Sequence, residues 1–90
     1  MTTSSVDMDM LKFSRWASNH GVNAKQYPEL PGQFSWQQLL EYRNNLKSAI
    51  KRCVEASESG RYVATDDDIA AVETAGEIIA QLQREMDQRD

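Results

Sequence analysis

The chain has 90 residues and a formal net charge of -4, from 10 basic and 14 acidic side chains. This length accommodates one small domain, which we place over residues 1–90, and excludes a second domain of ordinary size. With 40% hydrophobic and 27% charged residues, the composition is typical of a folded, water-soluble domain. One cysteine excludes an internal disulfide, and one histidine beside it excludes the common structural zinc patterns.

The sequence shows no targeting or membrane-spanning segment. The first seven residues lack the basic and apolar parts of a secretory signal, and the longest unbroken apolar run is 69–72. A bilayer span needs ~20 apolar residues. We expect a cytoplasmic protein with no membrane partner. Small acidic helical proteins are common among phage and mobile-element products, and if the chain is phage-encoded we expect it in the host cytoplasm or the virion.

The first predicted helix spans about 6–19, and Gly21 stands where a C-terminal cap belongs. At ~100° per residue, four apolar side chains share one face of this helix. They are Val6, Met10, Phe13 and Ala17. Met8 and Leu11 point away from this face. A helix that buries only one face has no need of apolar side chains at these two positions.

Residues 20–35 are predicted to form a loop. Pro28 and Pro31 interrupt any helix, and Pro31 with Gly32 is typical of a turn. The segment carries four apolar side chains, too many for a free linker. They are Val22, Tyr27, Leu30 and Phe34. We therefore expect this loop to pack against the helices.

The second predicted helix spans about 36–58. Ser35 and Gln38 have the spacing of a capping box, in which each side chain bonds the backbone of the other residue. Apolar residues then recur at alternating intervals of three and four, which indicates one buried helix face. They are Leu39, Tyr42, Leu46, Ala49, Cys53 and Ala56, with Ile50 and Val54 beside them.

The third predicted helix spans about 66–87. Thr65 and Asp68 repeat the capping pattern, and the acidic first turn suits the positive end of the helix dipole. The apolar positions again step by three and four. They are Val72, Ala75, Ile79, Leu82 and Met86.

Together these patterns predict an all-α fold. We expect a long antiparallel hairpin of the second and third helices, packed with the shorter N-terminal helix and the proline-containing loop in a three-helix arrangement. The alternative is a homodimer in which two hairpins form a four-helix-type bundle, because facing stripes bury only one side of each helix.

Catalytic and metal-binding patterns are absent from the sequence. Cys53 falls within an apolar stripe, where burial makes a thiol inert, and His20 stands alone at a helix end. The three consecutive residues Asp66, Asp67 and Asp68 lack the alternating ligands of a calcium loop. We predict that the protein is not an enzyme and uses no cofactor or metal.

The charge is unevenly distributed along the chain. Residues 1–35 carry no net charge, 36–64 carry +2 and 65–90 carry -6. An acidic surface attracts basic proteins and accelerates their association. The candidate partner-binding residues of this acidic face are Asp66, Asp67, Asp68, Glu73 and Glu77.

Two further surfaces are candidates for binding. Basic residues at intervals of four on the second helix could contact nucleic-acid phosphates, and these are Arg43, Lys47 and Lys51. Apolar residues outside the main stripes could contact a protein, since methionine and aromatic residues are enriched at interfaces. These are Met8, Leu11, Trp36, Leu40 and Tyr62.

We predict a non-catalytic protein–protein interaction module, an adaptor or an inhibitor, that binds a basic protein partner. This hypothesis accounts for the acidic face, the spare apolar residues and the missing catalytic patterns together. The first alternative is a structural or assembly component that self-associates through its helices, for example in a virion. The second alternative is a nucleic-acid-binding regulator that uses the basic residues of the second helix.

Overall fold

The computed structural model describes the backbone of residues 4–89 and the side chains of residues 10–89. Three α-helices account for most of this range: α1 (Ser4–Asn19), α2 (Trp36–Glu58) and α3 (Asp66–Arg89). Two single-turn 3-10 helices, Ala24–Gln26 and Pro31–Gln33, lie between α1 and α2. No strand occurs within residues 4–89, so the all-α prediction is confirmed. No helix in this range is long and apolar enough to cross a membrane.

Side-chain caps fix where α2 and α3 begin. The Ser35 hydroxyl accepts a hydrogen bond from the Gln38 amide at 3.1 Å, and the Gln38 side chain accepts one from the Ser35 amide at 2.9 Å. Thr65 and Asp68 make the same reciprocal pair at the start of α3, at 3.2 Å and 2.9 Å. Both caps satisfy amide groups that have no partner within the helix.

Hydrogen bonds close the end of α1 and connect it to α2. Gly21 has a φ of +79°, a left-handed conformation that glycine adopts without steric cost. The Val22 amide then bonds back to the Ala17 carbonyl at 2.8 Å and closes the helix end. The Arg52 guanidinium donates to the His20 carbonyl at 2.6 Å, which connects α2 to this turn.

The core lies around α3, which contacts both α1 and α2. Ala71 and Ala75 are fully buried, as are the larger side chains Phe13, Leu39 and Leu46. The remaining buried apolar side chains are Trp16, Ala17, Val22, Tyr27, Phe34, Tyr42, Ala49, Cys53, Leu82 and Met86. One continuous core therefore joins all three helices and the loop.

Three aromatic rings anchor the 20–35 loop. Tyr27 stacks on Tyr42 with ring centroids 4.2 Å apart, and Phe34 lies 5.8 Å from Tyr42 in a nearly parallel plane. The Tyr27 hydroxyl donates to Glu41 at 2.6 Å. The loop therefore packs against α2, as expected, although Leu30 is exposed.

The exposure of some stripe residues differs from the prediction. Met10 shares the face of Phe13 but is 48% exposed, and Val54 of α2 is 44% exposed. Conversely, Ala71 is fully buried although the predicted stripe omits it. Periodicity gives the direction of a side chain around the helix axis, but it does not show how far a neighbouring helix extends along that axis. The side chains of Val6 and Met8 lie outside the described residues.

Candidate functional site

Three carboxylates point away from the core on α3. At ~100° per residue, Asp66, Glu73 and Glu77 lie within ~40° of one another around the helix axis. All three are exposed. None of them forms an ion pair with the side chains of residues 10–89. These three residues, which we call the outward carboxylates, therefore present unneutralised negative charge to solvent.

The other two residues of the predicted acidic face are engaged within the fold. Asp67 Oδ1 lies 3.2 Å from Lys12 Nζ and connects α3 to α1. Asp68 Oδ2 accepts hydrogen bonds from the Thr65 amide at 2.9 Å, from the Thr65 hydroxyl at 3.0 Å and from the Tyr62 hydroxyl. The structure thus separates the acidic candidates into two residues with partners in the fold and three that form no ion pair within residues 10–89.

The pKa of Asp68 reflects this environment. Partial burial by itself raises the pKa of Asp68, but the hydrogen bonds from Thr65 and Tyr62, with a smaller attraction to His20, outweigh burial. The pKa of Asp68 therefore lies below its usual value, and the carboxylate is ionised at neutral pH. The same hydrogen bond to Asp68 raises the pKa of Tyr62, so the phenol stays protonated and remains a donor.

An apolar groove of about 250 Å³ lies between the last turns of α2 and the first turns of α3. Its central exposed side chains are Val54, 44% exposed, and Ile69, 51% exposed. The full lining is Cys53, Val54, Ser57, Glu58, Ala64, Asp68, Ile69, Val72 and Glu73. The lining residues combine an apolar surface with three carboxyl groups, and none of them is basic.

Cys53 is the free thiol of the chain and lies against this groove, although only 3% of it is exposed. The sequence placed this cysteine in a buried stripe, and the structure agrees. Within residues 10–89, no group of three or more metal-ligating side chains converges on one point.

The predicted apolar candidates do not line the groove. Leu11 and Trp36 are about half exposed, and Leu40 is partly buried against the core. Tyr62 is also exposed and lines a second, more polar depression with His20, Arg52, Glu55, Ala56 and Arg61. The Met8 side chain lies outside the described residues.

The three predicted basic residues of α2 differ in their burial and contacts. Arg43 is partly buried, and its guanidinium donates to Gln83 of α3 at 2.7 Å and to Asn44 at 3.3 Å. Lys47 and Lys51 are exposed. Arg43 therefore joins α2 to α3, and two of the three basic candidates face solvent.

The groove residues Val54, Glu58 and Ile69 were not among the sequence-based candidates. One signal for Ile69 is present in the sequence, because Ile69 is apolar but does not belong to the predicted apolar stripe of α3. Val54 lies at the edge of the α2 stripe, where periodicity does not distinguish core from surface.

The chain matches no protein-family model, and no curated protein or solved structure is significantly similar to it.

Proposed function

We propose that the protein is a non-catalytic interaction module, an adaptor or an inhibitor, that binds a basic protein partner at the outward carboxylates. The observation that supports this proposal is the set of exposed carboxylates on one face of α3, Asp66, Glu73 and Glu77, which form no ion pair within residues 10–89. Such a surface attracts a basic protein over several ångströms and orients it before contact.

Nucleic acid fits the same surface poorly. Residues 65–90 carry a net charge of -6, which repels a phosphate backbone. Arg43 is partly buried, and its Nη1 and Nη2 groups donate to Gln83 and Asn44. Lys47 and Lys51 remain exposed, and two cations provide a small footprint for phosphate contacts. A protein partner is therefore our preferred hypothesis.

The proposal includes the arrangement of the helices. We propose an antiparallel α2–α3 hairpin to which α1 adds a third helix. The Arg43–Gln83 hydrogen bond supports this arrangement, since it joins the first half of α2 to the last half of α3. At the other end, Val54 and Val72 line one groove.

Self-association is the alternative function, and exposed Trp36 is the observation that favours it. A dimer that buries this ring would show a molar mass that rises with concentration in light scattering. A constant monomeric mass would remove this alternative.

A peptide-display selection on the full chain tests the proposed function. From a random library, we expect peptides with an excess of lysine and arginine, and their affinity should fall as salt concentration rises. The double variant E73Q/E77Q should bind them roughly twofold to thirtyfold more weakly, because each exposed charge contributes ~0.2–1 kcal/mol.

The matched control is E29Q, which neutralises an exposed glutamate of the 20–35 loop and should bind with unchanged affinity. Asp67 and Asp68 are unsuitable for this test, since their neutralisation would also disturb contacts within the fold. Selected peptides without positive charge, or equal binding to wild type and E73Q/E77Q, would contradict the proposal.

A further inference from the structure

We propose that the groove between α2 and α3 receives one large apolar side chain that projects from a basic helical segment of the partner protein. This inference rests on the proposed function, since it specifies how the basic partner is held.

The size and lining of the groove favour a single side chain over a small-molecule ligand. Pockets for drug-sized ligands have volumes of ~300–1,000 Å³, whereas this groove measures about 250 Å³. Val54 and Ile69 leave about half of their surface exposed there. An aliphatic or aromatic side chain from a partner would remove this apolar surface from water.

The charges around the groove specify the neighbours of that side chain. Glu58 belongs to α2, whereas Asp68 and Glu73 belong to α3, so carboxyl groups stand on both walls. On a helix, residues three and four positions from an anchor share its face. Lysine or arginine at those positions would therefore meet carboxylates on either side of the groove.

A second copy of this chain is a poorer occupant than a foreign protein. Two copies each carry -4 and repel one another at long range. Trp36 has no lysine or arginine within four positions in the sequence. Leu11 has Arg15 four positions after it but Asp7 four positions before it, and Lys12 is paired with Asp67.

The inference is tested with the peptides selected on the wild-type chain. In these peptides we call the apolar side chain that enters the groove the anchor. Replacing the apolar anchor of a selected peptide by glutamine should weaken binding about tenfold or more, since burial of such a side chain contributes ~1.5–3 kcal/mol. The variants V54Q and I69Q should show a similar loss, measured by fluorescence anisotropy, with folding verified by circular dichroism. The matched control is L30Q, which changes a residue 61% exposed in the 20–35 loop and should leave affinity unchanged.

The outcomes separate the two proposals. If basic peptides bind with the expected salt dependence but tolerate loss of the anchor, the groove is not used and the proposed function still holds. If no selected peptide is basic, the proposed function itself fails. If wild type sediments as a dimer that I69Q dissociates, a second copy occupies the groove and the inference is wrong.

Discussion

The Tyr62 hydroxyl donates a hydrogen bond to Asp68, the carboxylate that also receives the amide of Thr65 at the start of α3. Asp68 lines the apolar groove as well. One side chain thus holds the α2–α3 connection, caps α3 and contributes negative charge to the groove. A change at Asp68 therefore affects both the stability of the start of α3 and the negative charge of the groove.

Stability should fall in acid partly because of Asp68. Its pKa in the folded protein lies below the ordinary value of 3.8, so its contribution is present above that value and is lost as pH falls through the folded-state pKa. D68N should weaken this acid dependence in urea denaturation measured across the acidic range. D66N, which neutralises the exposed neighbour, is the control, and an equal loss of acid dependence in both variants would contradict the assignment.

The Thr65 cap should contribute measurably to folding. Replacing Thr65 by alanine removes the hydroxyl that accepts from the Asp68 amide at 3.2 Å, and comparable N-cap losses cost ~1 kcal/mol. T65S keeps the hydroxyl and should retain most of the stability. The measurement is the free energy of unfolding from denaturant titration. Equal unfolding energies for T65A and wild type would show that the cap is dispensable.

Alkaline pH should destabilise the protein through Tyr42. Burial raises the pKa of Tyr42 from 10.0 to about 12, and the negative charge that Tyr27 acquires on ionisation adds a smaller effect. A raised folded-state pKa gives stability that is complete below the unfolded value of 10.0 and is lost as pH rises toward 12. Absorbance titration should show a tyrosinate transition near pH 12 that Y42F lacks. A Tyr42 transition near 10.0 in the folded protein would contradict this account.

Core truncation should be severe in so small a domain. Leu46 is fully buried and Leu82 is 1% exposed, so either leucine-to-alanine change should cost ~2–5 kcal/mol. This is a large part of the ~5–15 kcal/mol that stabilises a typical domain. Chemical denaturation should therefore show L46A and L82A partly or wholly unfolded. L11A, on an exposed residue of α1, should remain close to wild type.

The sequence predicts the all-α class because its signals are local. The caps at Ser35 and Thr65, the prolines of the loop and the apolar periodicity each act over a few residues. The contact of α1 with α3 was not predictable from these signals, since helix partners depend on contacts between distant segments. The exposure of Met10 was not predictable for the same reason, because it depends on which distant segments pack against α1.

The candidate site was predictable only in part. Glu73 and Glu77 are evident from sequence, because acidic residues on a polar helix face remain exposed. The groove was not predictable, since it depends on the spacing between α2 and α3 beside Val54 and Ile69. Likewise, the hydrogen bond from Arg43 to Gln83 joins residues 40 positions apart, beyond the reach of local patterns.

The most direct test of the proposed site is a map of amide chemical shifts in the labelled full chain as a selected basic peptide is added. Saturable changes should be concentrated at residues 53–58 and 64–77, around the groove and the outward carboxylates. The changes should be much smaller in I69Q at the same peptide concentration. Shifts centred on Trp36, or on Lys47 and Lys51, with the groove amides unchanged, would contradict the proposed site.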